Sequence, residues 1–111
     1  DNLRVALYGA KYECDLANKM DQDKTKKYTV AGKCCESGDI LIEDAMLPEA
    51  ETDDLLVVYG TGAYGYSMAN NYNRLNKPAV VFAKDSKARI VIKRERYDDQ
   101  IRFETDEEVI V

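Results

Sequence analysis

A thiol stands beside a carboxylate in the run Cys35-Glu36-Ser37-Gly38-Asp39. The pair joins a group that can give up a proton to one that can hold a cation. A cysteine near its ordinary pKa of about 8.5 donates a proton when its site keeps it protonated but poised. An ionised Glu36 only accepts hydrogen bonds, which suits it to an ammonium group. Gly38 lets the backbone turn tightly, and Asp39 can bond nearby amides and so fix the loop. The same residues also read as a buried small hydrophobe followed by a solvated turn. The pentapeptide alone leaves both readings open.

Two further groups carry ligand-binding chemistry. Thr61-Gly62-Ala63-Tyr64-Gly65 offers main-chain N–H groups at a glycine-rich turn with a hydroxyl close by, an arrangement that suits phosphate. It lacks the lysine-threonine pair of a P-loop, and Tyr64, Met68 and Tyr72 equally read as a core stripe. In Arg4-Val5-Ala6-Leu7-Tyr8, a guanidinium can fork onto a carboxylate and a phenol four residues on can add a bond. Positions four apart share a face in a helix and in a strand, so Arg4 and Tyr8 could reach one ligand. A surface arginine and a half-buried tyrosine are the plainer alternative.

The elements that must position these groups are short. The 111 residues fit one domain, and 45% hydrophobic with 33% charged residues marks a globular fold rather than disorder. No apolar run reaches the ~20 residues of a membrane helix. The net charge of −5 opposes a nucleic-acid partner, and Lys24-Thr25-Lys26-Lys27 reads as a solvated loop. With no histidine there is no imidazole base and no metal site is expected. Three cysteines, Cys14, Cys34 and Cys35, suit a reducing cytoplasm.

Tyr12 to Ala17 alternates as a half-buried strand, and Asn18 to Lys27 reads as an exposed hairpin loop. Tyr28 to Gly32 and Ile40 to Ile42 are further strands, with a break at Leu47-Pro48-Glu49. Leu55 to Tyr59 is apolar throughout, as if covered on both faces. Tyr64 to Asn73 has helical spacing. Ala79 to Ala83 and Ala88 to Arg94 form a hairpin about Asp85-Ser86-Lys87, and Tyr97 to Glu104 a last helical turn. The expected fold is mainly β, a Greek-key barrel or sandwich with one or two short helices.

These fragments fall in the order and approximate spacing of one family. Arg4-Val5-Ala6-Leu7-Tyr8-Gly9-Ala10 resembles an arginine-proline-alanine-leucine-tyrosine segment, with valine at position 5 for proline. Cys35 to Asp39 matches a cysteine-glutamate-serine-glycine-aspartate signature in full. Asp54-Leu55-Leu56 precedes Gly62-Ala63-Tyr64-Gly65-Tyr66-Ser67-Met68-Ala69-Asn70-Asn71-Tyr72-Asn73, and Lys77 to Val81 stands where a strand is expected. From Arg4 to Glu104 the chain resembles the C-terminal domain of the diaminopimelate decarboxylases, enzymes of lysine biosynthesis that use pyridoxal phosphate.

The resemblance implies an alanine-racemase-like C-terminal β-domain. It implies Cys35 as proton donor to the substrate Cα after carbon dioxide leaves, and Glu36 as holder of the substrate's distal ammonium. Arg4 and Tyr8 would bind a substrate carboxylate, and Tyr64 would contact both cofactor and substrate. It further implies that residues 1–111 are the C-terminal β-domain of a longer enzyme. The cofactor lysine would then lie on an N-terminal α/β barrel absent from this chain, the partners would meet in a homodimer, and the isolated chain would be inactive. A related arginine- or ornithine-type decarboxylase domain, a non-catalytic β-domain that binds a partner, and a thiol redox module on Cys34 and Cys35 are the alternatives.

Overall fold

The structure is a computed structural model that describes residues 2–111, so Asp1 lies outside the described residues. The chain forms two compact units that divide at Ala69/Asn70.

The first unit opens on α1 (Val5–Tyr8), a single turn that Gly9 ends. Gly9 takes the left-handed φ of 65° and returns its N–H to the Val5 carbonyl at 2.7 Å, a stop that glycine makes without steric cost. Strands β1 (Cys14–Leu16), β2 (Lys26–Ala31), β3 (Ile40–Leu47) and β4 (Leu56–Val58) follow, then the one-turn α2 (Gly62–Gly65). β1 pairs antiparallel with β4, with Asp15 opposite Val57. β2 pairs antiparallel with β3, with Lys27 opposite Met46.

The core lies between these ladders. Leu16 (3% exposed) and Leu47 (2%) are buried with Cys14 and Ala45, and Tyr28, Val30, Ile42 and Val58 pack against them. Strand alternation selects these residues: Cys14 and Leu16 point inward around Asp15, and Ala45 and Leu47 inward around Met46. β3 runs five residues past the expected Ile40 to Ile42 before Pro48 ends it. Asp44, at φ 56°, sits where the register slips between Tyr28 and Val30. That is a bulge, which carries the strand past Glu43-Asp44 and restores the inward face.

The second unit holds a 3₁₀ turn (Tyr72–Arg74), the hairpin β5 (Val80–Lys84) and β6 (Lys87–Ile92), and α3 (Tyr97–Ile101). The hairpin turns at Asp85 and Ser86, with φ of 51° and 58°, the doubly left-handed pair that two-residue hairpins favour. At α3 the Asp99 carboxylate accepts the Arg96 backbone N–H at 2.8 Å, so the acidic start expected near Asp98 and Asp99 caps a real helix.

The mainly β architecture with a few short helices agrees with the sequence reading. The Greek-key barrel or sandwich does not appear among the described residues, where each sheet stops at two strands. The residues that would supply third partners are spent on turns, as at 17–22 and 33–39. Asn18 to Lys27 is not a hairpin loop, because the strands that flank it pair elsewhere and Lys26 already belongs to β2. Leu55 to Tyr59 is not covered on both faces: Leu55, Leu56 and Tyr59 are exposed. The helix expected over Tyr64 to Asn73 stops at Gly65. The Asn70 side chain accepts the Tyr72 N–H at 3.0 Å, and Asn73 takes a left-handed φ of 57°. Both favour turns over helix.

Because β1 and β4 are only three residues each, polar ties reinforce their junction. The Asp54 carboxylate accepts Lys19 Nζ at 2.8 Å, Asn18 Nδ2 at 2.7 Å and the Glu51 N–H at 2.8 Å. Lys19, then Asn18 and the Glu51 amide, hold the Asp54 pKa down at about 2. A depressed carboxylate stabilises the fold above its unfolded pKa of about 3.9, and that contribution is lost as pH falls through the folded value. Acid unfolding should therefore steepen between about pH 4 and pH 2. In Asp54→Asn that window should flatten and neutral-pH stability should fall, as urea midpoints across the pH series would register.

Candidate functional site

The loop after β2 is tied back on itself through Asp39. Gly32 N–H donates to the Asp39 carbonyl at 2.8 Å, and Asp39 N–H to the Glu36 carbonyl at 3.1 Å. The Asp39 carboxylate, 2% exposed, accepts the Cys34 N–H at 2.9 Å. A Cβ on Gly32 would collide with that carboxylate, so the glycine is required by space. At Gly38 a Cβ would lie 2.5 Å from Glu36 Oε1, so a side chain there would displace the Glu36 carboxylate. As read from sequence, Gly38 lies in a tight turn, which the Asp39 N–H closes on the Glu36 carbonyl, and it does so without a left-handed φ.

This folded loop presents Cys35 to solvent at its crest and turns Glu36 inward. Glu36 Oε1 accepts the Gly38 N–H at 2.9 Å and Arg4 Nη2 at 3.2 Å. Glu36 Oε2 is buried without a hydrogen-bond partner among the described residues. Arg4 and Glu36 side chains are 36% and 22% exposed, a half-wet pair. Arg4 precedes α1 and Tyr8 ends it, so one helical turn sets both.

Tyr8 stacks on Tyr64, with ring centroids 5.5 Å apart and planes inclined 25°. Its hydroxyl lies 2.9 Å from that of Tyr12, whose ring meets it edge-on. Partial burial, then the Tyr12 hydroxyl, pushes the Tyr8 pKa up to about 12. Tyr8 is therefore a neutral phenol, able to donate, across the physiological range. The structure thus joins Arg4 to Glu36 and Tyr8 to Tyr64, and sets Cys35 next to Glu36. The Tyr64 ring is exposed. Sequence reasoning missed Tyr12, whose only signal is its place four residues after Tyr8. It also missed Gly32, which has no local signal, because the carboxylate that excludes a side chain there comes from Asp39.

Residues 1–62 match the family described as pyridoxal-dependent decarboxylase, C-terminal sheet domain. The chain is 59% identical over 94% of its length to a diaminopimelate decarboxylase of Halalkalibacterium halodurans, and 56% identical over 94% to that of Bacillus subtilis. It spans 24% of each of those relatives. Among solved structures, diaminopimelate decarboxylase from Helicobacter pylori complexed with L-lysine superposes with a TM-score of 0.81 at 37% identity. That likeness covers 91% of this chain and 25% of the other.

Two outcomes test this geometry. Gly32→Ala forces a methyl onto the Asp39 carboxylate and should lower stability by about 1–3 kcal/mol in urea unfolding. Among the thiols, Cys14 is buried, and burial followed by the Asp15 charge raises its pKa. Because the thiolate is the reactive form, iodoacetamide should label Cys35 well before Cys14, as peptide mass spectrometry would record.

Proposed function

Since this chain belongs to the pyridoxal-dependent decarboxylases, as their C-terminal sheet domain, we propose that it is the C-terminal domain of a diaminopimelate decarboxylase. In this reading it helps convert meso-2,6-diaminopimelate to L-lysine and carbon dioxide in the cytoplasm. The rest of the site, including the lysine that carries the cofactor, comes from an N-terminal α/β barrel, and the pieces meet in a homodimer. Alone the chain supplies half a site and is inactive.

The observation that carries the reading is the Glu36 carboxylate. One oxygen is shared by Arg4 and Gly38, the other is buried without a hydrogen-bond partner among the described residues, and the neighbouring residue is an exposed thiol. A substrate whose far end bears both an ammonium and a carboxylate suits that arrangement. The ammonium reaches Glu36 Oε2, while the carboxylate takes Arg4 and the Tyr8 hydroxyl. The Arg4–Glu36 pair need not survive intact, because a half-exposed ion pair contributes about 0–1 kcal/mol. Each charge-assisted hydrogen bond that replaces it contributes about 1.5–3 kcal/mol. Exchange therefore favours the bound zwitterion, and a simple diamine gains only the Glu36 half.

Pyridoxal phosphate suits the Tyr64 ring, which is exposed and free to meet a ligand on the face turned from Tyr8. When bound, that cofactor supplies an electron sink for the pair left as the carboxylate departs. Cys35 Sγ–H gives its proton to the substrate Cα, and the thiolate left on sulfur is reprotonated from solvent, which its exposure permits. Glu36 and Arg4 fix the far end of the substrate so that the Cα stays within reach.

In a full-length enzyme that carries this domain, Cys35→Ala should cut kcat for carbon dioxide release from meso-diaminopimelate by about 10²- to 10⁴-fold, the range for a lost general acid. Cys34→Ala should stay within a few fold. Equal losses from the two substitutions would remove Cys35 from the role of donor.

A further inference from the structure

Tyr12 has no ligand of its own in the reading above, yet it touches a residue that does. Its hydroxyl lies 2.9 Å from that of Tyr8, and the two rings meet edge-on at 6.5 Å and 81°. On its other side Tyr8 lies against the Tyr64 face, so two aromatic neighbours fix its plane. We propose that Tyr12 is a positioning residue. Its O–H donates to the Tyr8 oxygen and so directs the Tyr8 O–H at the carboxylate of the amino-acid ligand.

The direction follows from donor arithmetic. Between two phenols either can donate, since each has one proton and can also accept. A carboxylate only accepts, so Tyr8 must commit its single proton to the ligand and accept from its neighbour. Tyr12, Tyr8 and the carboxylate then form a chain that runs one way, in which each bond strengthens the next. The contact is not a by-product of helix geometry. α1 ends at Tyr8, and Gly9 turns the chain through its left-handed conformation before Tyr12. Tyr12 lies two residues before β1 and is half-buried. It also lines an open groove of about 630 Å³ together with Ile42 and Glu43 of β3.

This inference rests on the reading of Tyr8 as a carboxylate-binding residue, and the experiment separates the two. In a full-length decarboxylase that carries this domain, Tyr12→Phe keeps the ring and deletes the donor. KM for meso-diaminopimelate should rise about 3- to 10-fold with kcat within about 2-fold. Tyr8→Phe should raise KM at least as much, and the double variant should be no worse than Tyr8→Phe alone. Inhibition by L-lysine, which has a carboxylate, should weaken in Tyr12→Phe, whereas inhibition by 1,5-diaminopentane, which has none, should not. A parallel loss for both inhibitors would mark a packing defect and overturn the proposal. So would an unchanged KM in Tyr12→Phe, or additive single effects, while the role of Tyr8 would stand. An unchanged KM in Tyr8→Phe would remove the underlying reading of Tyr8, and this inference with it.

Discussion

A carboxylate buried to 2% exposure stays in a folded protein only if donors replace the water it has lost, and the Cys34 amide is such a donor for Asp39 Oδ2. Burial pushes its pKa up, yet the donors around it more than offset this and the net shift is downward. The Asp39 main chain meanwhile closes the loop at both ends, to Gly32 and to Glu36. Cys35 is exposed and Glu36 turned inward on a segment whose Gly32 and Cys34 amides are committed to Asp39. If that carboxylate is displaced, neither the thiol nor the Arg4–Glu36 pair keeps its place.

That dependence explains which parts of the site were legible. Asp39 as the residue that fixes the loop follows from local chemistry, since an aspartate two to five residues from free amides tends to bond them. Cys35, Glu36, Arg4 and Tyr8 were legible as types suited to a thiol donor, an ammonium acceptor and a carboxylate clamp. Which of them touch was not. The Arg4–Glu36 contact spans 32 positions and depends on where β2 turns. Gly38 was legible as a turn residue, but its close approach to the Glu36 side chain was not.

The fold shows the same division between local and long-range information. The β5–β6 hairpin was readable because its strands pair across two turn residues, whereas β1 with β4 and β2 with β3 pair over longer separations that no local pattern specifies. Alternation located the inward residues of β1 but gave no warning that a bulge at Asp44 would prolong β3. The spacing of Tyr64, Met68 and Tyr72 suggested one helix. The main chain settles instead on turns that asparagines close with their own side chains, a local competition that periodicity does not capture.

The balance between apolar and polar contacts says where the site is most sensitive. The core cluster of the first unit is four buried residues with four partly buried partners, too small a body to fix loops at a distance by packing alone. Position is instead set by directional contacts: Asp39 on Cys34, Glu36 on Arg4 and Gly38, Tyr12 on Tyr8, Asp54 on Lys19 and Asn18. Hydrogen bonds of this kind contribute about 1 kcal/mol each but fix angles as well as distances. Loss of a core methyl group therefore weakens the whole unit evenly, whereas loss of one of the contacts around Glu36 or Tyr8 reorients a particular side chain at the candidate site. A pair of charges that is half in water at 36% and 22% exposure fits that scheme. It is ordered enough to hold two side chains ready and weak enough for a ligand with matching charges to separate them.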